Sequence, residues 1–235
     1  MKREKVLWGP INNFGLFPVN GKATLAMSSF YPGADYLTCF DSELKKSIGF
    51  NRPPPDALHF PSWGGINRTG IETADLDGDG SLEVISGLNG VWNRIIVWDT
   101  NGKPLREVSF GPGYSLEKMA YGEQRLEKRF LSDVKILNEN NSNKIAASTP
   151  DGVIMFDHQL KKIWCRKLPA PPLVMATGQA GIAVGCEDGF LGLIDFSGKT
   201  VASYQGSNSW VEMCFIKGTL IAVDASGKLH RLTVP

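Results

Sequence analysis

One short phrase recurs four times along the chain, and it limits what the chain can fold into. A run of apolar, strand-forming residues ends in an aspartate, a three-residue turn follows, and a lysine opens a second strand. The first copy is Leu37-Thr38-Cys39-Phe40-Asp41-Ser42-Glu43-Leu44-Lys45, and the others occupy residues 95–103, 153–161 and 191–199. Their aspartates stand at 41, 99, 157 and 195, so the steps are 58, 58 and 38 residues. In each copy the aspartate begins a hairpin turn, where its short side chain bonds the backbone of the next residues. A further strand is expected before each phrase, at 24–28, 82–86, 144–148 and 181–185. First strands are expected at 71–75, 132–137 and 173–177, with a less distinct one inside 14–19.

Four strands in a unit of about 40 residues, with insertions, match the size of a propeller blade. The expected fold is an all-β propeller of five four-stranded blades in a single domain over 1–235. Residues 210–216, 220–223 and 228–234 give the last blade only three strands. Lys2, Arg3 and Lys5, followed by Val6, Leu7 and Trp8, share the basic-then-apolar order of Lys161-Lys162-Ile163-Trp164. This N-terminal strand is expected to complete the last blade and close the ring, removing exposed sheet edges. An open arc of a larger propeller is the alternative architecture, and a β-sandwich the alternative fold.

A second feature is Asp75-Leu76-Asp77-Gly78-Asp79-Gly80-Ser81-Leu82-Glu83. Oxygen donors alternate with small or turn residues, and a hard cation such as calcium takes such a set. Asp75, Asp77, Asp79, Ser81 and Glu83 are the expected metal ligands. The loop is too short for an EF-hand, and strands follow it where an EF-hand has a helix. It resembles the calcium loop of FG-GAP and VCBS-type repeats, which joins two strands of one propeller blade. That resemblance covers roughly residues 69–110 and implies a structural calcium ion. The blades around Asp157 and Asp195 look like those of quinoprotein (PQQ-like) propellers, without their cofactor-stacking motifs. The polar run Asn138–Asn143 lacks alternating carboxylates, and no calcium is expected there.

In a propeller the second-to-third links and the links between blades share one face. Two long links, 51–69 and 111–131, therefore fall on one side with residues 89–94. They place Trp63, Trp92, His59, Arg68, Tyr114 and Arg125 among the candidate ligand-binding residues, with Trp210 and Trp8 bordering them. Aromatic rings beside Arg and His on loops over a rigid scaffold suit a binding surface for carbohydrate or protein. Residues 117–129 carry helical propensity and a charge run that suits a solvated face.

No GxSxG, HExxH or phosphate-cradling glycine loop occurs, and the chain has three histidines. A non-catalytic binding module with calcium as its metal is the expectation. The alternative is a polysaccharide-acting enzyme, a lyase or glycosidase, because calcium-bearing propellers resembling this one occur among rhamnogalacturonan lyases. Net charge is +1, which gives no electrostatic footprint for nucleic acid or an anionic membrane. A monomer is expected. Cys39, Cys165, Cys186 and Cys214 form no CxxC pair and sit in apolar runs, so buried reduced thiols are expected. Residues 1–13 carry no signal-peptide pattern, and the resemblance alone implies an extracellular or periplasmic setting.

Overall fold

A computed structural model describes residues 11–19, 22–29, 37–41, 43, 45–50, 66–88, 94–110, 131–139 and 142–233. Every regular element among them is a strand. β1 (Ile11–Val19), β2 (Lys22–Ser29), β3 (Leu37–Phe40) and β4 (Lys46–Phe50) form the first sheet. β5 (Ile66–Ala74), β6 (Glu83–Leu88), β7 (Arg94–Asp99) and β8 (Pro104–Ser109) form the second. β9 (Asp133–Glu139), β10 (Ser142–Thr149), β11 (Gly152–Phe156) and β12 (Lys162–Lys167) form the third. β13 (Pro172–Gly178), β14 (Gly181–Cys186), β15 (Phe190–Ile194) and β16 (Thr200–Gln205) form the fourth. β17 (Trp210–Ile216), β18 (Thr219–Asp224) and β19 (Leu229–Thr233) form a fifth sheet of three strands.

Each sheet is an antiparallel meander in chain order. The chain divides into two compact units, one holding the first two sheets and the other the last three together with Asp75–Asp79. In the second unit the third, fourth and fifth sheets stack face to face, and the period-2 alternation of strands decides which residue serves which interface. Met175, Ile182, Val184 and Ile194 of the fourth sheet meet Leu137, Ala146, Val153 and Met155 of the third. Val174, Ala176, Ala183, Leu191 and Leu193 meet Trp210, Met213, Leu220 and Ala222 of the fifth. β14 is consequently buried at every position, whereas β16 keeps most of its residues in solvent. Burial on both faces explains why β14 reads as a continuous apolar run.

Gly185 sets the spacing between β14 and β17. A Cβ added there would lie 2.6 Å from Trp210 Cβ. The Trp210 ring, 1% exposed, donates its Nε1–H to Gly189 O at 2.9 Å. Trp210 is thus a core residue and does not border a ligand face as expected. Trp98 is likewise buried and donates to Ser86 Oγ at 2.7 Å.

The aspartate turn has one geometry wherever it occurs. The Asp41, Asp99, Asp157 and Asp195 carboxylates each accept the N–H groups of the second and fourth residues that follow, at 2.8–2.9 Å. The aspartate N–H in turn donates to the lysine carbonyl, closing the hairpin. The residue before the lysine is left-handed, as Gly102 (φ 82), Leu160 (φ 61) and Gly198 (φ 86) show. Such a turn with a left-handed third residue is a common three-residue hairpin connection.

Other differences from the sequence expectation are local. β1 starts at Ile11 and β5 at Ile66, both earlier than expected. Cys186 is buried, but Cys165 and Cys214 are exposed, and all three are free. Both exposed thiols lie on strands with little burial: β12 buries none of its residues, and β17 only Trp210 and Met213. Residues 1–8, expected to close the ring, and the expected helical stretch 117–129 lie outside the described residues.

Candidate metal loop and ligand face

The link from β5 to β6 begins where Ala74 pairs with Glu83. Leu76 turns inward and is 4% exposed, while Asp77 and Asp79 on either side of Gly78 face solvent. That single apolar anchor fixes which side chains of the link face outward. Gly78 (φ 81) and Gly80 (φ 88) adopt left-handed backbone, and an added Cβ would meet nothing within 4 Å at either. Handedness, not crowding, therefore requires glycine here. The Gly78 N–H donates to Asp75 Oδ1 at 2.7 Å, which tightens the turn. Asn143 Nδ2 donates to Asp75 O at 2.6 Å, so the polar run after β9 supports the loop backbone.

Carboxylate oxygens of Asp75, Asp77 and Glu83 lie within 4.8 Å of one another. Calcium bonds oxygen at about 2.3–2.6 Å, so atoms that close lie within reach of one ion. Glu83 is 4% exposed, and it belongs to β6, which holds it in place. The structure brings these three together. Asp79 and Ser81 stand exposed in the same loop, outside that group of carboxylates.

His59, Trp63, Trp92, Tyr114 and Arg125 lie outside the described residues. Arg68 falls within β5 and not in the link before it, because pairing of β5 with β6 extends back to Ile66 opposite Leu88.

A cluster that the sequence reading passed over lies in the fifth sheet. Asp224 repeats the aspartate turn, in a link from second to third strand. Its Oδ1 accepts the N–H groups of Ser226 and Lys228 and the Ser226 hydroxyl, at 2.9, 3.1 and 2.5 Å. Its Oδ2 lies 2.9 Å from His230 Nε2. His230 meets Trp210 edge-on, with centroids 5.0 Å apart, and Tyr204 at 6.1 Å. The Ser226 hydroxyl, then His230, hold the Asp224 carboxyl well below the usual carboxylate range. Serine and histidine both bond the carboxylate, so this is an anchored turn and not a relay that would activate a nucleophile. The phrase Asp224-Ala225-Ser226-Gly227-Lys228 matches Asp195-Phe196-Ser197-Gly198-Lys199 and was the available signal.

No protein-family model and no curated protein matches the sequence. Solved structures do. BBS1N, crystallised in complex with ARL6DN, superposes with a TM-score of 0.64 at 13% identity, covering 89% of this chain and 60% of that one. Sqt1 of Saccharomyces cerevisiae gives 0.63 at 14% identity, covering 89% and 55%. The computationally designed Ika8 protein gives 0.61 at 12% identity, covering 95% and 58%. The chain thus spans less than two thirds of the length of these neighbours. The likeness shows the fold: the chain is all-β, built of antiparallel meander sheets, and propeller-like.

Proposed function

We propose that the chain is a non-catalytic propeller module, one domain over 1–235, that binds a protein ligand through loops carried on its blades. The propeller-like fold is the observation that carries this reading. Such a scaffold holds loops from separate blades in fixed relation, which is what a docking surface needs. BBS1N was crystallised with a protein partner, and the same use of the fold is proposed here. The ligand face is assigned to Trp63, Trp92, His59, Tyr114 and Arg125, on sequence alone. Five blades, closed by residues 1–8, belong to the same proposal.

The β5–β6 link is proposed to hold calcium, in keeping with its resemblance to FG-GAP and VCBS loops. Asp75, Asp77 and Glu83 would supply carboxylates, with Asp79 and Ser81 as further oxygen donors. The ion would neutralise clustered negative charge and pin the link. Its role is structural.

The test is a Trp92→Ala variant, screened beside wild type on a protein array and a glycan array. Loss of a central aromatic contact commonly costs about 2 kcal/mol or more, so binding of a protein hit should weaken at least roughly tenfold. Hits confined to glycans, or new reducing ends or unsaturated products from polysaccharide, would replace this reading with the carbohydrate or enzyme one.

A further inference from the structure

β12 is the most basic of the four fourth strands among the described residues: it holds Lys162, Arg166 and Lys167, where β4 holds Lys46 alone. β12 and the residue before it read Lys161-Lys162-Ile163-Trp164-Cys165-Arg166-Lys167, with four cations and no acid. β16, Thr200–Gln205, carries no charge, and β8 balances Arg106 with Glu107. All four cations are exposed. No ion pair joins any of them to another described residue.

The backbone beside these charges is also open. Among the described residues, β12 pairs with β11 on one side and with no strand on the other. Ile163, between the cations, is 46% exposed, and Cys165 is exposed next to it. From Ile163 to Lys167 alternation puts Trp164 and Arg166 on one face of the strand, and Ile163, Cys165 and Lys167 on the other, while a bulge opposite Met155 and Phe156 interrupts it before Lys162. Trp164 donates its Nε1–H to Phe196 O of the fourth sheet at 2.9 Å, which anchors the strand in place. The edge is therefore rigid, basic and partly apolar.

We propose that this edge docks an acidic protein segment in extended conformation, which adds to the third sheet as a fifth strand. Strand addition draws affinity from main-chain hydrogen bonds and specificity from alternate side chains. Lysines on an edge discourage pairing between like edges. Here the same charges select a strand of opposite sign. Carboxylates of the incoming segment would face Lys162 and Arg166, and apolar residues would lie over Ile163 and Cys165. None of these residues is among those assigned to the ligand face, so the two proposals are tested by different variants and fail independently.

The test uses a fluorescein-labelled peptide of four Glu-Val repeats and measures its anisotropy with the full chain. Binding is expected, with at least a tenfold loss on K162E/R166E and on N-methylation of alternate peptide amides. K162Q/R166Q should give an intermediate loss, and all variants should melt with wild type. Three results would overturn the proposal. One is no binding, or binding that ignores K162E/R166E. Another is equal binding of the N-methylated peptide, which would mean charge attraction without strand pairing. The third is tighter binding, at matched charge, of a single-stranded oligonucleotide or of phosphatidylserine vesicles.

Discussion

At the scale of single residues, carboxylates organise this protein in two different ways. Asp224 spends its charge on local donors, and the folded pKa lies below the ordinary value of 3.8. Asp195 is lowered in the same direction, first by the Ser197 hydroxyl and then by the Lys199 backbone N–H. A depressed folded pKa means the contribution to stability is present above the unfolded pKa and is lost as pH falls towards the folded one. Acid melts from pH 5 downward should therefore fall more steeply for wild type than for Asp224→Asn. Parallel curves would show that the turn holds without the charge. The carboxylates of the β5–β6 link are proposed instead to hold a cation. Calcium should raise the melting temperature of wild type by mass action, and Asp77→Ala should abolish that rise. A chelator-treated wild type that melts as it does in calcium would remove the ion from the account.

At the scale of elements, the aspartate hairpin is the repeated device, and its third turn residue is its weak point. Leu160 holds a left-handed φ of 61 and is 7% exposed, whereas Gly198 holds φ 86 with the Trp164 ring 2.9 Å from where a Cβ would sit. Opposite substitutions should both destabilise. Gly198→Ala should cost roughly 1–3 kcal/mol through handedness and overpacking. Leu160→Gly relieves about 1–2 kcal/mol of backbone strain but gives up a buried side chain worth roughly 2–5 kcal/mol. Urea midpoints of the two variants decide the matter. A gain for Leu160→Gly would mean that its side chain contributes little. This hairpin is also why most of the fold was legible in the sequence. Strand, aspartate, turn and lysine are local chemistry, as are Gly78 and Gly80 in the β5–β6 link. Exposure of Cys165 and Cys214 was not legible, because each follows or sits among apolar residues, Ile163 and Trp164 or Met213 and Phe215, and only the stacking of sheets decides which face is covered. Trp210 was misplaced for the same reason, and Asp224 was passed over because its turn joins a different pair of strands. The aromatic ligand face remains an expectation from sequence alone.

At the scale of the whole molecule, four sheets have four strands and the fifth has three among the described residues. If residues 1–8 supply the absent strand, deleting them exposes the edge of β19, where Leu229 is already 64% exposed. The deletion variant should melt several degrees lower, or aggregate, since an open apolar edge templates pairing with other chains. Light scattering during a thermal ramp distinguishes these outcomes. A variant that melts like wild type would favour the open arc.

The approach of β14 to β17 at Gly185 also bears on how such a chain can diverge. The atom a new side chain would strike is Trp210 Cβ, at 2.6 Å. Every residue except glycine has that atom. Shrinking the tryptophan to phenylalanine, leucine or alanine therefore opens no room for a larger residue at 185. The two positions do not trade volume by degrees: while the strands keep this distance, only glycine at 210 would admit a side chain at 185. Drift can rewrite the ring above the glycine, but the glycine itself is held by the spacing of two backbones and changes only if the sheets move apart.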